Sequence, residues 1–198
     1  GLHPSSVDSD WENQLTIIQS EKLSANYIAI GEIGIDLYWS KEFIKEQTSV
    51  FRELVIWAKK EGLPIVIHAR DSFDEIFNVL DDLNDSSLTG IFHCFTGNLF
   101  QAEKIIEYGG FKMGVGGVLT YKNSGLGDTL SEVQLEHLVL ETDSPYLPPV
   151  PYRGKRNESS YVLHIAEKLA GLHGITLKEV EEETTRNAYE IFKLPKNQ

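Results

Sequence analysis

The stretch His137–Asn157, HLVLETDSPYLPPVPYRGKRN, decides how the chain is read. Leu138, Val139 and Leu140 form a short apolar run of the kind shown by a strand buried on both faces. Two carboxylates, Glu141 and Asp143, follow at once. Behind them lie Pro145, Pro148, Pro149 and Pro151, in a segment that can extend neither a helix nor a central strand. It closes in a polar cluster of Tyr152, Arg153, Lys155, Arg156 and Asn157. An acid placed where a buried strand becomes a stiff loop is held firmly yet stays reachable, so other groups are expected to converge on Asp143.

Working outward, strands and helices alternate. Ser9 and Glu12 have capping-box spacing for a helix to about Leu23, and Tyr27 to Ile30 reads as a strand leading into Gly31-Glu32-Ile33-Gly34-Ile35-Asp36. Phe51, Leu54, Val55 and Ala58 stripe a helix that stops near Gly62 and Pro64. Ile65 to Ile67 is a strand ending at His68-Ala69-Arg70-Asp71. Ser72 and Glu75 form a second capping box, before a helix striped by Phe73, Ile76, Phe77 and Leu80. Leu88 to Phe92 is a strand ending at His93-Cys94, and Ala102, Ile105 and Ile106 mark a helix stopped by Gly109-Gly110. Phe111 to Val115 is a strand that runs into Gly116-Gly117 and a polar loop. After the strand Leu138 to Leu140, two helices close the chain, the second capped by Thr176 and Glu179 and running to about Phe192.

This order specifies parallel strands in a single α/β domain over residues 1–198. The chemistry separates a doubly wound sheet from a barrel. Four strands end in a metal-type ligand: Glu32, His68, His93 and Asp143. A barrel delivers every strand end to one face, whereas a doubly wound sheet gathers its ligands at one switch point. The expected fold is therefore a TIM-type (β/α)8 barrel. Each residue alone has a plainer explanation: a satisfied loop histidine, a helix cap for Glu32, a turn before Ser144-Pro145 for Asp143. Four strand ends together point to metal. His137, His164 and His173 fall elsewhere and suit surface or packing roles.

Mixed imidazole and carboxylate donors suit zinc or manganese, and a carboxylate-rich version tolerates magnesium. Two ions bridged by Glu32 would suit attack of water on a phosphodiester, with Asp143 as proton acceptor. Arg70 and Arg153 lie just past strand ends and suit phosphate oxygens, though the Arg153-Lys155-Arg156 trio also reads as a solvated loop. Cys94 beside His93 is a weak nucleophile candidate without an oxyanion motif. As the single cysteine it forms no intrachain disulfide, which favours a reducing cytoplasm. No run reaches the roughly 18 apolar residues of a membrane helix, and no obligate protein partner is implied.

These segments carry a resemblance. Gly-Glu-Ile-Gly-Ile-Asp (31–36), Val-Ile-His-Ala-Arg (66–70), Phe-His-Cys-Phe-Thr-Gly (92–97), Gly-Val-Gly-Gly (114–117), Glu-Thr-Asp-Ser-Pro-Tyr-Leu (141–147) and Pro-Tyr-Arg-Gly-Lys-Arg-Asn (151–157) resemble the TatD family of metal-dependent deoxyribonucleases. Thr-Thr-Arg-Asn-Ala (184–188) strengthens the likeness. The resemblance implies a barrel of the metal-dependent hydrolase kind that cleaves DNA, often as a 3′-to-5′ exonuclease, with two divalent ions per complete site. By motif position Glu32, His68, His93 and Asp143 would be metal ligands, with Glu32 and Asp143 catalytic, and His3, Arg70 and Arg153 close to the DNA substrate. Family members open with a His-x-His strand and reach the Gly-Leu-His-Pro motif only later. The resemblance therefore implies that about three barrel strands, with two further ligands, lie outside this sequence.

A net charge of -12 leaves little general attraction for nucleic acid. DNA binding is accordingly expected to be modest and to depend weakly on salt. A steep fall of affinity in a salt titration would contradict this.

Overall fold

The computed structural model describes residues 1–21 and 27–195. The chain divides into two compact units, Gly1–Phe92 and His93–Gln198.

In the first unit a 3-10 turn over Pro4–Ser6 and helix α1 (Trp11–Glu21) precede strand β1 (Ile30–Asp36). Residues 22 and 23, at the end of the helix expected from Ser9, lie outside the described residues. Helix α2 (Ile44–Glu61), strand β2 (Ile65–Arg70), helix α3 (Phe73–Leu83) and strand β3 (Gly90–His93, its last residue opening the second unit) follow. Strand order within this unit is β1-β2-β3, and β1 and β2 are parallel. Ile33, Ile35, Ile65 and Ile67 are fully buried with Phe51, Leu54, Val55 and Ala58 of α2 and Ile76 and Leu80 of α3. The helical stripes predicted from spacing are thus the buried faces.

In the second unit helix α4 (Leu99–Glu107), strand β4 (Phe111–Val115), helix α5 (Leu126–Ser131), strand β5 (Leu138–Leu140), helix α6 (Val162–His173) and helix α7 (Leu177–Ile191) follow in turn. β4 and β5 pair in parallel, Met113 opposite Leu138 and Val115 opposite Leu140. Asn187 of α7, 1% exposed, donates its side-chain amide to the carbonyls of Leu135 and Leu138, 2.7 Å each. That contact fastens the last helix to the start of β5.

Several expectations are corrected. β1 is not the Tyr27–Ile30 run but the glycine-bearing segment after it, and β3 begins two residues later than expected. Ser72 precedes α3 without capping it. Its buried hydroxyl instead donates to Ile35 O at 2.5 Å and accepts from Arg70 N at 3.1 Å, because two strand ends need it more than the exposed helix end does. The polar loop after Gly117 contains a 3-10 turn (Gly117–Thr120) and α5. The cap of α4 is a reciprocal Asn98–Gln101 box.

The Thr176–Glu179 box forms as the spacing predicts: Glu179 N donates to Thr176 Oγ1 at 3.2 Å, and Thr176 N to Glu179 Oε2 at 2.8 Å. Thr176 Oγ1 also donates to Glu179 Oε2 at 2.7 Å, and that bond, followed by the one from Thr176 N–H, holds the Glu179 carboxyl below its ordinary value. A depressed folded value contributes stability above the ordinary glutamate range and loses it as pH falls through the folded value. Thr176→Ala should cost about 1 kcal/mol in a urea melt at neutral pH, and that difference should shrink in acid.

Candidate metal centre

Successive side chains of a strand alternate between faces, so Glu32, Gly34 and Asp36 share one face of β1 while Ile33 and Ile35 enter the core. The register places Gly34 opposite His68. A Cβ on Gly34 (φ 145°) would stand 2.0 Å from His68 O, so only glycine permits this approach. The His68 ring then lies between two carboxylates. Nε2 is 2.9 Å from Asp36 Oδ2, and Nδ1 is 3.6 Å from Glu32 Oε2. The tautomer that donates to Asp36 turns the Nδ1 lone pair toward Glu32.

His3 approaches the same carboxylate oxygen, its Nε2 3.6 Å from Glu32 Oε2. Its ring meets His68 edge-on at 4.7 Å, while Nδ1 accepts from Ser5 N at 3.2 Å. Ligand atoms of His3, Glu32 and His68 all lie within 4.8 Å of one another.

The second unit repeats the device. Glu141, just past β5, brings Oε2 to 3.0 Å from His93 Nδ1 and accepts the Cys94 backbone N–H on Oε1 at 2.6 Å. His93 Nε2 then stands 3.6 Å from Asp143 Oδ1. Gly114 leaves room for this carboxylate, since a Cβ there would be 2.4 Å from Glu141 Oε2. Cys94 (φ 46°) and Asp143 (φ 55°) adopt left-handed backbone conformations that cost energy for residues other than glycine. Such cost is retained where a side chain or N–H must be aimed, here Asp143's carboxylate and Cys94's N–H.

The structure thus joins Glu32 and His68 in the first unit, together with His3, which the resemblance set on the substrate side. It joins His93 and Asp143 in the second. Sequence reasoning missed Asp36 and Glu141 as the groups that orient the two imidazoles. A period of two from Glu32 to Asp36 carried the first signal; Glu141 sat beside Asp143 in a loop, where no period applies.

Asn157, the last residue of the polar cluster, is a buried clamp, 2% exposed. Its side-chain amide donates to Thr142 O at 2.6 Å and Tyr146 O at 2.5 Å, bracing the loop around Asp143. Arg153 is exposed, with its guanidinium 4.1 Å from the centre of the Tyr121 ring. Burial raises the Tyr121 phenol, and the nearby Arg153 charge opposes that shift. Arg70 lies over Tyr38 at 3.7 Å.

The donor chemistry fits a divalent cation. Two imidazoles and a carboxylate at 3.6 Å spacings suit ligands of one ion at about 2.1 Å. The Asp36–His68 contact is the carboxylate–imidazole support that metal-bound histidines commonly have.

Imidazole and carboxylate donors carried on parallel strands of an α/β chain suit the class of metal-dependent hydrolases. Comparison with known proteins agrees. Residues 1–193 match the model of the family described as TatD related DNase, and the chain belongs to that family. It is 36% identical over 195 residues to the uncharacterized metal-dependent hydrolase YabD of Bacillus subtilis, covering 98% of this chain and 76% of that protein. It is 32% identical to the uncharacterized metal-dependent hydrolase YcfH of Escherichia coli, covering 97% of this chain and 72% of that one. The crystal structure of YjjV, a TatD homolog from E. coli, matches with a TM-score of 0.84 and 30% identity over 95% of this chain and 72% of that chain. A TatD family hydrolase from Entamoeba histolytica shares the fold alone, with a TM-score of 0.75 at 23% identity over 93% of this chain and 69% of that chain. The fold is the TIM-barrel type of these hydrolases, as the strand-end ligands implied, and the chain is a metal-dependent hydrolase.

Asp36→Asn should leave the fold intact but weaken cation binding at the His3–Glu32–His68 cluster by roughly 10- to 100-fold. Calorimetric titration of manganese into the chelator-stripped protein reads this directly; unchanged affinity would remove Asp36 from the site.

Proposed function

We propose that this hydrolase cleaves phosphodiester bonds of DNA, working as a 3′-to-5′ exonuclease. The carrying observation is the His3–Glu32–His68 donor cluster with Asp36 behind it, in a chain matched to a DNase family. Zinc, manganese or magnesium would be held by His3, Glu32 and His68 in the first unit and by His93 and Asp143 in the second. A divalent cation supplies Lewis acidity toward a phosphoryl oxygen and makes water a stronger acid.

The chain's own groups supply the rest. Asp36 and Glu141 fix the imidazole rings of His68 and His93, so their outward nitrogens are set before substrate arrives. Glu32 keeps a carboxylate oxygen between His3 and His68. Asp143 accepts the proton shed by the attacking water, its carboxylate held by a turn whose Tyr146 N–H donates to Asp143 O at 2.8 Å. Water's oxygen bonds to phosphorus, the P–O3′ bond breaks, and the freed 3′ oxygen ends protonated. Arg70 and Arg153 offer planar N–H forks suited to phosphate oxygens.

Glu32→Ala and His68→Ala should each lower the release of label from 3′-end-labelled single-stranded DNA by on the order of 10²-fold or more, without unfolding the chain. A chelator should stop the wild-type reaction. Retained activity in either variant removes the metal mechanism. Hydrolysis of a carboxylic ester, amide or lactone with none of DNA would move the protein to that other class of reaction.

A further inference from the structure

Beyond the metal donors, the first unit presents an aromatic surface that the hydrolytic chemistry leaves unexplained. Trp39 is 77% exposed, more than any other large hydrophobic side chain among the described residues, and Tyr38 beside it is 52% exposed. Trp is highly buried on average, so one this exposed, with a second exposed aromatic ring against it, offers apolar surface to a ligand. The two rings meet edge-to-face at 4.7 Å and 88°. The Arg70 guanidinium lies 3.7 Å from the Tyr38 ring centre and 5.6 Å from that of Trp39. Arg70 has no carboxylate partner among the described residues, so its charge is held in place by aromatic faces alone.

The platform is also tied to the metal donors. Tyr38 N–H donates to Asp36 Oδ1 at 3.0 Å, while the other oxygen of that carboxylate meets His68 Nε2. Leu37 N–H donates to Arg70 O at 2.9 Å, and Leu37 is buried beneath. Arg70, the last residue of β2, pairs with Asp36, the last residue of β1, and Tyr38 stands in the bend that follows β1. A cation beside two exposed aromatic side chains suits one occupant: a nucleotide whose base stacks while its phosphate meets the arginine.

We infer that Trp39, set by Tyr38 and Arg70, is a nucleobase-stacking platform that grips single-stranded DNA beside the metal donors. This rests on the reading of the chain as a deoxyribonuclease and adds how it tells nucleic acid from other phosphate esters. It holds bases by their faces and so without sequence preference.

The test is fluorescence anisotropy with a labelled thymidine octamer and an abasic octamer of the same length, both in chelator so that nothing is cut. The wild-type chain should bind the thymidine octamer about tenfold more tightly. Trp39→Ala should bind both alike, and Trp39→Phe should keep most of the preference. Wild-type protein that binds the two alike, or a Trp39→Ala variant that still prefers bases, overturns the platform. A base preference that persists while the manganese-loaded protein cuts no DNA overturns the nuclease reading alone. Cutting without a base preference overturns the platform alone.

Discussion

The first unit's site depends on one contact, the hydrogen bond between Asp36 and His68. An imidazole on a strand can rotate, and a rotating ring is a poor ligand. Asp36, 7% exposed, gives one ring nitrogen a fixed partner and leaves the other facing Glu32. The pairing that brings His68 beside Asp36 needs glycine at position 34, where a Cβ would stand 2.0 Å from His68 O. A backbone constraint, a register and a tautomer are thus one feature seen at three levels.

The second unit reaches the same end by another route. Glu141 comes from a loop, where strand pairing cannot hold it. It is fixed instead by two donors, His93 and the backbone of Cys94, and by the space Gly114 leaves. The cost is carried by the backbone, in the left-handed conformations of Cys94 and Asp143. Where a strand supplies geometry at no extra cost, a loop needs local strain and bracing to match it.

This contrast explains what the sequence disclosed. Helical stripes, the parallel order and the residues ending strands were legible, since each follows from a period or from the end of an apolar run. Glu32, His68, His93 and Asp143 were singled out in that way, although Glu32 and His68 lie within β1 and β2 and not at their ends. Ser72 was misread because local spacing resembles a capping box, while burial redirected its hydroxyl to Ile35. The extent of β1 was misread because the apolar run Tyr27 to Ile30 lies ahead of the segment that pairs with β2, which runs from Ile30 to Asp36. The burial of Asn157 is another such case: it stands in a cluster of polar residues, yet it is 2% exposed. No pattern within one segment reports such long-range contacts.

Asn157 and Asn187 carry a further consequence, one of chemical ageing. Each aims an amide nitrogen at two carbonyl oxygens, Asn157 around the Asp143 loop and Asn187 at the start of β5. An aspartate has the same shape and the opposite role, since it is an acceptor when ionised. Loss of ammonia from either side chain would therefore turn a two-way tie into a three-way repulsion between oxygens, with a buried charge added. Deamidation of an exposed asparagine would alter little but net charge. At these two positions it would loosen the strand and the loop that present Asp143.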